Sequence, residues 1–181
     1  MVLNIRRTAE HDLPFIYAWY TDPAIAQQAL CVVPDDYDEF AKQYTDLIKS
    51  SSALCFITLA GDERIGLAEI RCIGCYSGIY QGEAVLWLGQ RRGSGLGLRL
   101  IVWLLQQAFE ILNLDRLWWW VGRNNTDMLK ICAKLDFRRL AEDETYAKDR
   151  IFFQMDRAEY ESFPERNPKL WFRLQKLDKG R

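Results

Sequence analysis

Trp87-Leu88-Gly89-Gln90-Arg91-Arg92-Gly93-Ser94-Gly95-Leu96-Gly97 is the stretch on which the fold turns. Glu83–Leu88 before it reads as a strand, and Leu98–Leu112 after it is apolar and long enough for a helix. Between them, glycines at 93, 95 and 97 allow tight turning and close approach of a ligand to the backbone. Free N–H groups at the start of the following helix converge on one space, a geometry that holds a pyrophosphate. Arg91 and Arg92 add charge-assisted contacts to phosphate. A Walker A loop is excluded, because no Gly-Lys-Ser/Thr closes the run. A dinucleotide fingerprint fits poorly, since a hairpin meander precedes the loop and no acidic residue stands out about 20 positions further on. The glycines alone leave a plain turn between strand and helix open.

Working outward, residues 2–7 read as a short strand, and Thr8–Asp12 as the start of a helix with Thr8 as N-cap. Leu13–Tyr20 supplies an apolar helical face, broken at Thr21-Asp22-Pro23. Residues 36–49 place Phe40, Tyr44, Leu47 and Ile48 at helical spacing. Ala53–Ala60, the turn Gly61–Arg64 and Ile65–Ile73 make a β-hairpin. Beyond the loop, Arg116–Val121 reads as a buried strand, and Asn124-Asn125-Thr126 can cap a helix over 127–135. Two further strands lie near Phe137–Leu140 and Ile151–Asp156. The order β-α-α-β-β-β-α-β-α-β-β implies a mixed sheet with helices on both faces, an α/β (mixed α+β) class. From 158 onward the chain changes character, with Pro164, Pro168 and an excess of basic residues. Residues 1–160 are expected to form the domain, with 161–181 as a basic C-terminal extension.

Composition narrows the function classes. At 181 residues, 49% hydrophobic and 27% charged, the chain suits one ordinary domain and not a disordered segment. Lys+Arg is 24 against Asp+Glu 25, which gives no bulk attraction to a polyanion. The odd number of cysteines (31, 55, 72, 75 and 132) and the charged start MVLNIRRTAEHD point to a reducing, cytoplasmic setting. The longest apolar stretch, Leu100–Leu105, is far too short to span a membrane. Cys72-x-x-Cys75 is an isolated pair without two more zinc ligands at suitable spacing, so no metal site is expected. His11 reads as a surface or capping residue. Aromatics, at 13%, are explained by a thick core or by an aromatic-lined pocket.

Arg92-Gly93-Ser94-Gly95-Leu96-Gly97 resembles the acyl-CoA motif R/Q-x-x-G-x-G/A of GNAT-fold acetyltransferases, at the junction of fourth strand and third helix. Asn125 with Leu135-Asp136-Phe137 resembles the second family motif, N-x(9)-L-G-F. Ile5-Arg6-Arg7 and Trp19-Tyr20-Thr21-Asp22-Pro23 look like the opening of the branch that acetylates ribosomal-protein N-termini and aminoglycosides, and Phe152-Phe153-Gln154-Met155 looks like its closing strand. The resemblance covers about residues 3–160. It implies a central, mostly antiparallel sheet splayed between strands four and five, and acetyl-CoA or another acyl-CoA as cosubstrate. The pantetheine arm would pair with the backbone of Val85, Leu86 and Trp87. The pyrophosphate would sit on 92–97, beside Arg91, and Asn125 would hydrogen-bond the arm. A primary amine would attack the thioester directly.

Direct transfer needs an amine that has lost its proton, a donor for the oxyanion and an acid for the departing thiolate. Glu83 is the candidate base; it shares a strand face with Val85 and Trp87. Several relatives carry the glutamate where this chain has Gln81. The tyrosine that usually protonates the thiolate is replaced by Cys132, which either donates the proton or is a plain buried cysteine. Trp120 stands where N-terminal acetyltransferases carry a glutamate on the fifth strand. Tyr80 and Tyr146 are alternative acids. Asp35, Asp36, Asp38, Glu39 and Asp46 make an acidic helix near the expected acceptor groove.

Three functions remain in view. The first is an N-acetyltransferase acting on a small amine, a peptide or protein N-terminus, or a lysine. The second keeps the fold but takes a long-chain acyl, carrier-bound or aminoacyl-tRNA donor in peptide or natural-product modification. That is the one route by which nucleic acid would enter. The third is a non-catalytic acyl-CoA-binding module. Oligomeric state is not legible in the sequence.

Overall fold

Strand alternation sorts the apolar residues into two cores, one on each side of a sheet. The computed structural model describes residues 3–29, 34–89, 95–141 and 148–171. Strands β1 (Leu3–Arg7), β2 (Leu54–Ala60), β3 (Glu63–Tyr76) and β4 (Ile79–Leu88) form an antiparallel meander. β5 (Arg116–Gly122) lies parallel to β4 and antiparallel to β7 (Arg150–Asp156), and short β6 (Arg138–Arg139) borders β7. Among the described residues the sheet order is β1-β2-β3-β4-β5-β7-β6.

Leu67, Val85 and Trp87 face the first core. It is closed by α1 (Leu13–Thr21), α2 (Pro23–Ala29) and α3 (Tyr37–Lys49) through Ile16, Trp19, Tyr20, Ile25, Phe40 and Tyr44. Ala84 and Leu86 face the second core, with Leu117 and Trp119 from β5 and Phe153 and Met155 from β7. That side is covered by α4 (Leu96–Gln106), whose last turn becomes a π turn at Gln107–Ile111, by α5 (Thr126–Lys134) and by α6 (Arg157–Arg166).

Several elements differ from the sequence expectation. Thr8 is no N-cap: its N–H extends the β1–β2 ladder to the Cys55 carbonyl at 3.0 Å. Asp12 closes that turn instead, accepting the Ala9 N–H at 3.0 Å. Thr21-Asp22-Pro23 ends α1 and also starts α2, because Asp22 accepts the Ala24 N–H at 2.8 Å and proline suits the first turn. The hairpin of β3 and β4 is longer than expected. Its two-residue turn, Ser77-Gly78, has φ of 51° and 80°, the left-handed pair that matches strand twist. α4 begins at Leu96, ahead of the expected Leu98. α6 runs across residue 160, and Phe163 is fully buried, so the core continues beyond that position.

Candidate active site

The site is built where β4 and β5 part. Their pairing covers Gln81↔Arg116, Gly82↔Leu117 and Glu83↔Trp118, and then stops. Past Glu83, the backbone of Val85, Leu86 and Trp87 runs on with β3 along one edge only. Their side chains do not fill the fork. Val85 and Trp87 turn into the α1–α3 core, where Trp87 stacks on Tyr20 at 4.3 Å, and Leu86 turns into the other core. What remains along the fork is backbone N–H and C=O, the groups a pantetheine arm would pair with.

At the end of the fork where the sequence expects the pyrophosphate stands Gly95, the N-cap of α4, at φ 78° and ψ 0°. A side chain there would be strained, which accounts for a glycine where the strand turns into the helix. Leu96 is buried and opens α4, and Gly97 lies against Leu88. Arg91, Arg92, Gly93 and Ser94 lie outside the described residues. Across the fork, Asn125 caps α5: its Oδ1 accepts the Met128 N–H at 3.2 Å. The cap uses the oxygen and leaves the amide N–H donors of Asn125 for a ligand.

Glu83, the last paired residue of β4, sits at the apex of the fork and is half-buried. Its Oε1 accepts a hydrogen bond from Trp120 Nε1 at 3.1 Å. Burial raises its pKa above the ordinary carboxylate value; the Arg71 charge and the Trp120 hydrogen bond pull it back in part. Arg71 is the register partner of Glu83 on β3. It ion-pairs with fully buried Glu69, which accepts from Tyr44, and Arg71 Nη2 donates to the Tyr20 hydroxyl at 3.0 Å. Sequence reading missed this network. The Glu69-x-Arg71 spacing puts both on one strand face, but only the register shows which strand face Glu83 shares with them.

Cys132 reads from the sequence as either a proton donor or a plain buried cysteine. It is fully buried among Trp119, Leu135 and the α4 side chains, and burial pushes its thiol up to about 11. The sulfur packs as core. Tyr80 is exposed, and strand alternation puts it on the opposite face of β4 from Glu83. Tyr146 lies outside the described residues. His11 is exposed beside Arg6 and Asp12. Cys72 and Cys75 are both exposed near the β3 bulge.

Asp136 occupies the glycine position of the second motif and adopts φ 53°, so the left-handed conformation is kept without glycine. Asp and Asn tolerate it better than most residues. Among the described residues, no helix is long and apolar enough to cross a membrane.

The fold has known counterparts. Mutant forms of the spermidine/spermine N-acetyltransferase SpeG of Vibrio cholerae superpose with a TM-score of 0.75 at 20% identity, over 88% of this chain and 96% of theirs. The spermidine N-acetyltransferase of Vibrio cholerae in complex with CoA and spermine gives 0.72 at 20% identity, over 87% and 97%. A dodecameric structure of that enzyme in an intermediate state gives 0.70 at 19%, over 87% and 95%. No curated protein matches in sequence. The acetyltransferase (GNAT) domain model matches residues 3–138. With the forked sheet, the glycine turn at the start of α4 and this match together, the chain belongs to the GNAT family as an N-acetyltransferase that takes acetyl-CoA or another acyl-CoA as cosubstrate.

Proposed function

We propose that this enzyme acetylates a primary amine that arrives as an organic cation, with Glu83 as the general base. The observation that carries this reading is the half-buried Glu83 carboxylate at the apex of the β4–β5 fork. On the same sheet face stand the half-buried indoles of Trp118 and Trp120. A carboxylate flanked by indole rings suits an ammonium with an apolar stem. The acidic first turn of α3, Asp38 and Glu39 behind the Asp36 cap, adds negative charge on that side. A polyamine is the first acceptor to test, because a structural neighbour binds spermine with CoA.

In the reaction, the ammonium gives a proton to Glu83 and its nitrogen attacks the thioester carbonyl carbon. The backbone N–H groups of β4 past Glu83 are placed to donate to the oxyanion. Collapse breaks the C–S bond; the nitrogen gives up its second proton through water, and that proton neutralises the departing CoA thiolate, leaving the amide and free CoA. A base must be ionised to act, so the rate falls as pH drops through the Glu83 pKa. Burial puts that acid limb above the ordinary glutamate value.

The test is free-thiol release from acetyl-CoA with spermidine, spermine, an aminoglycoside and a peptide N-terminus as acceptors. Glu83→Gln should lower kcat/KM about 100-fold or more and remove the acid limb, with the KM for acetyl-CoA little changed. A parental pH profile in that variant would take the base role away from Glu83.

A further inference from the structure

We propose that Trp120 is a positioning residue for Glu83: its indole N–H pins Oε1 of the carboxylate at the apex of the fork, and the Arg150 guanidinium clamps the indole ring. This rests on Glu83 being the base. The inference starts from register. Glu83 pairs with Trp118 across the parallel strands, so Trp120 is the next β5 residue on that face, just where the pairing has ended. The two side chains bridge the first open step of the fork at 3.1 Å. From β7, Arg150 lies 4.0 Å over the Trp120 ring. An indole N–H only donates. It therefore holds one carboxylate oxygen, cannot take the proton itself, and leaves Oε2 to receive the proton of the amine.

The groups around Glu83 define what the indole contributes. From β3 come Arg71, its ion-pair partner Glu69, and Cys72; from α1 and α3 come Tyr20 and Tyr44, which bond to that pair; from β7 comes Arg150. Burial and the Glu69 charge favour the protonated acid, whereas Arg71, Arg150 and the Trp120 hydrogen bond favour the carboxylate. Removing the indole N–H while keeping a ring should raise the proton affinity of Glu83 and free its rotamer. The glutamate would then be protonated over more of the working range and less well aimed when ionised.

Two measurements on the 181-residue chain test this. In the first, the Trp120 indole ¹⁵N–¹H resonance, assigned by its loss in Trp120→Phe, is followed against pH. It should show one inflection above the ordinary glutamate range, and that inflection should vanish in Glu83→Gln. A resonance that does not move with pH, or that keeps its inflection in Glu83→Gln, overturns the proposal.

The second is the pH dependence of spermidine acetylation. Trp120→Phe should shift the acid limb upward by roughly half to one on the pH scale and lower kcat about 10-fold, with the KM for acetyl-CoA within about twofold. Loss of the limb in Glu83→Gln with a parental profile in Trp120→Phe sinks the positioning role alone. A parental limb in Glu83→Gln sinks the base assignment beneath it.

Discussion

Cys132 occupies the position where the family carries its acid tyrosine, and its surroundings decide what it does. With no exposed area and a thiol pushed up to about 11, it fills core space between β5 and the α4 side chains. Cys132→Ser should therefore cost about 1–3 kcal/mol of stability, the price of a hydroxyl buried in apolar surroundings. At the same time kcat should stay within about twofold if the sulfur serves as packing and relays no proton. Urea denaturation and thiol-release kinetics on the same sample separate the two roles. A large fall in kcat at unchanged stability would return Cys132 to the reaction. For Glu83 and Asn125 only the placement was legible from the sequence: one in the strand before the glycine loop, the other before a helix. That Asn125 uses its oxygen as a helix cap was legible too, since Asn before a helical run is a strong cap.

At the scale of elements, α6 shows what composition can hide. Its stretch reads as an appended helix or a mobile basic tail; it is a helix, and it is no mere appendage, since Tyr160 and Phe163 are buried and Phe163 stacks on Phe137 at 5.9 Å. Trp171, beyond the helix, meets both rings edge-on. The helix start is built in: Glu159 accepts the Asp156 N–H at 2.7 Å, a capping box. We expect Phe163→Ala to lose about 3–5 kcal/mol, and a chain ended after residue 160 to lose more. Equilibrium urea unfolding measures both; a truncated chain as stable as the parent would make 161–181 a true appendage. The β3–β4 hairpin makes the complementary point. Its Ser77-Gly78 turn lay in plain view, but the small and polar residues around it masked how far the strands extend.

For the whole molecule, one buried carboxylate ties distant segments together. Asp12 has no exposed surface and accepts from Arg6 of β1 at 2.7 and 2.8 Å, from Arg64 of β3 at 2.7 Å and from the Ala9 N–H. Burial works against its charge, but these hydrogen bonds and the Arg6 charge outweigh it and hold the carboxyl well below the usual range. A carboxyl depressed in the folded state stabilises above its unfolded pKa of about 3.9, and that stability is lost as pH falls through the folded value. Asp12→Ala should cost about 3–5 kcal/mol at neutral pH, since it leaves two arginines beside an empty partner site. It should also flatten the stability profile below pH of about 4, as thermal melts against pH would show. An unaltered acid slope would place the acid sensitivity elsewhere.

By itself the sequence determined the strands with clean alternation, the glycine turn at the start of α4 and the asparagine cap of α5, because backbone periodicity, glycine conformation and capping are local properties. Only the tertiary structure decided that β4 and β5 part at Glu83, that Trp120 reaches its carboxylate, and that Arg71 stands beside it across the register. Those facts depend on which strands pair and in which register, and that is set by the burial of two cores at once and not by any one segment.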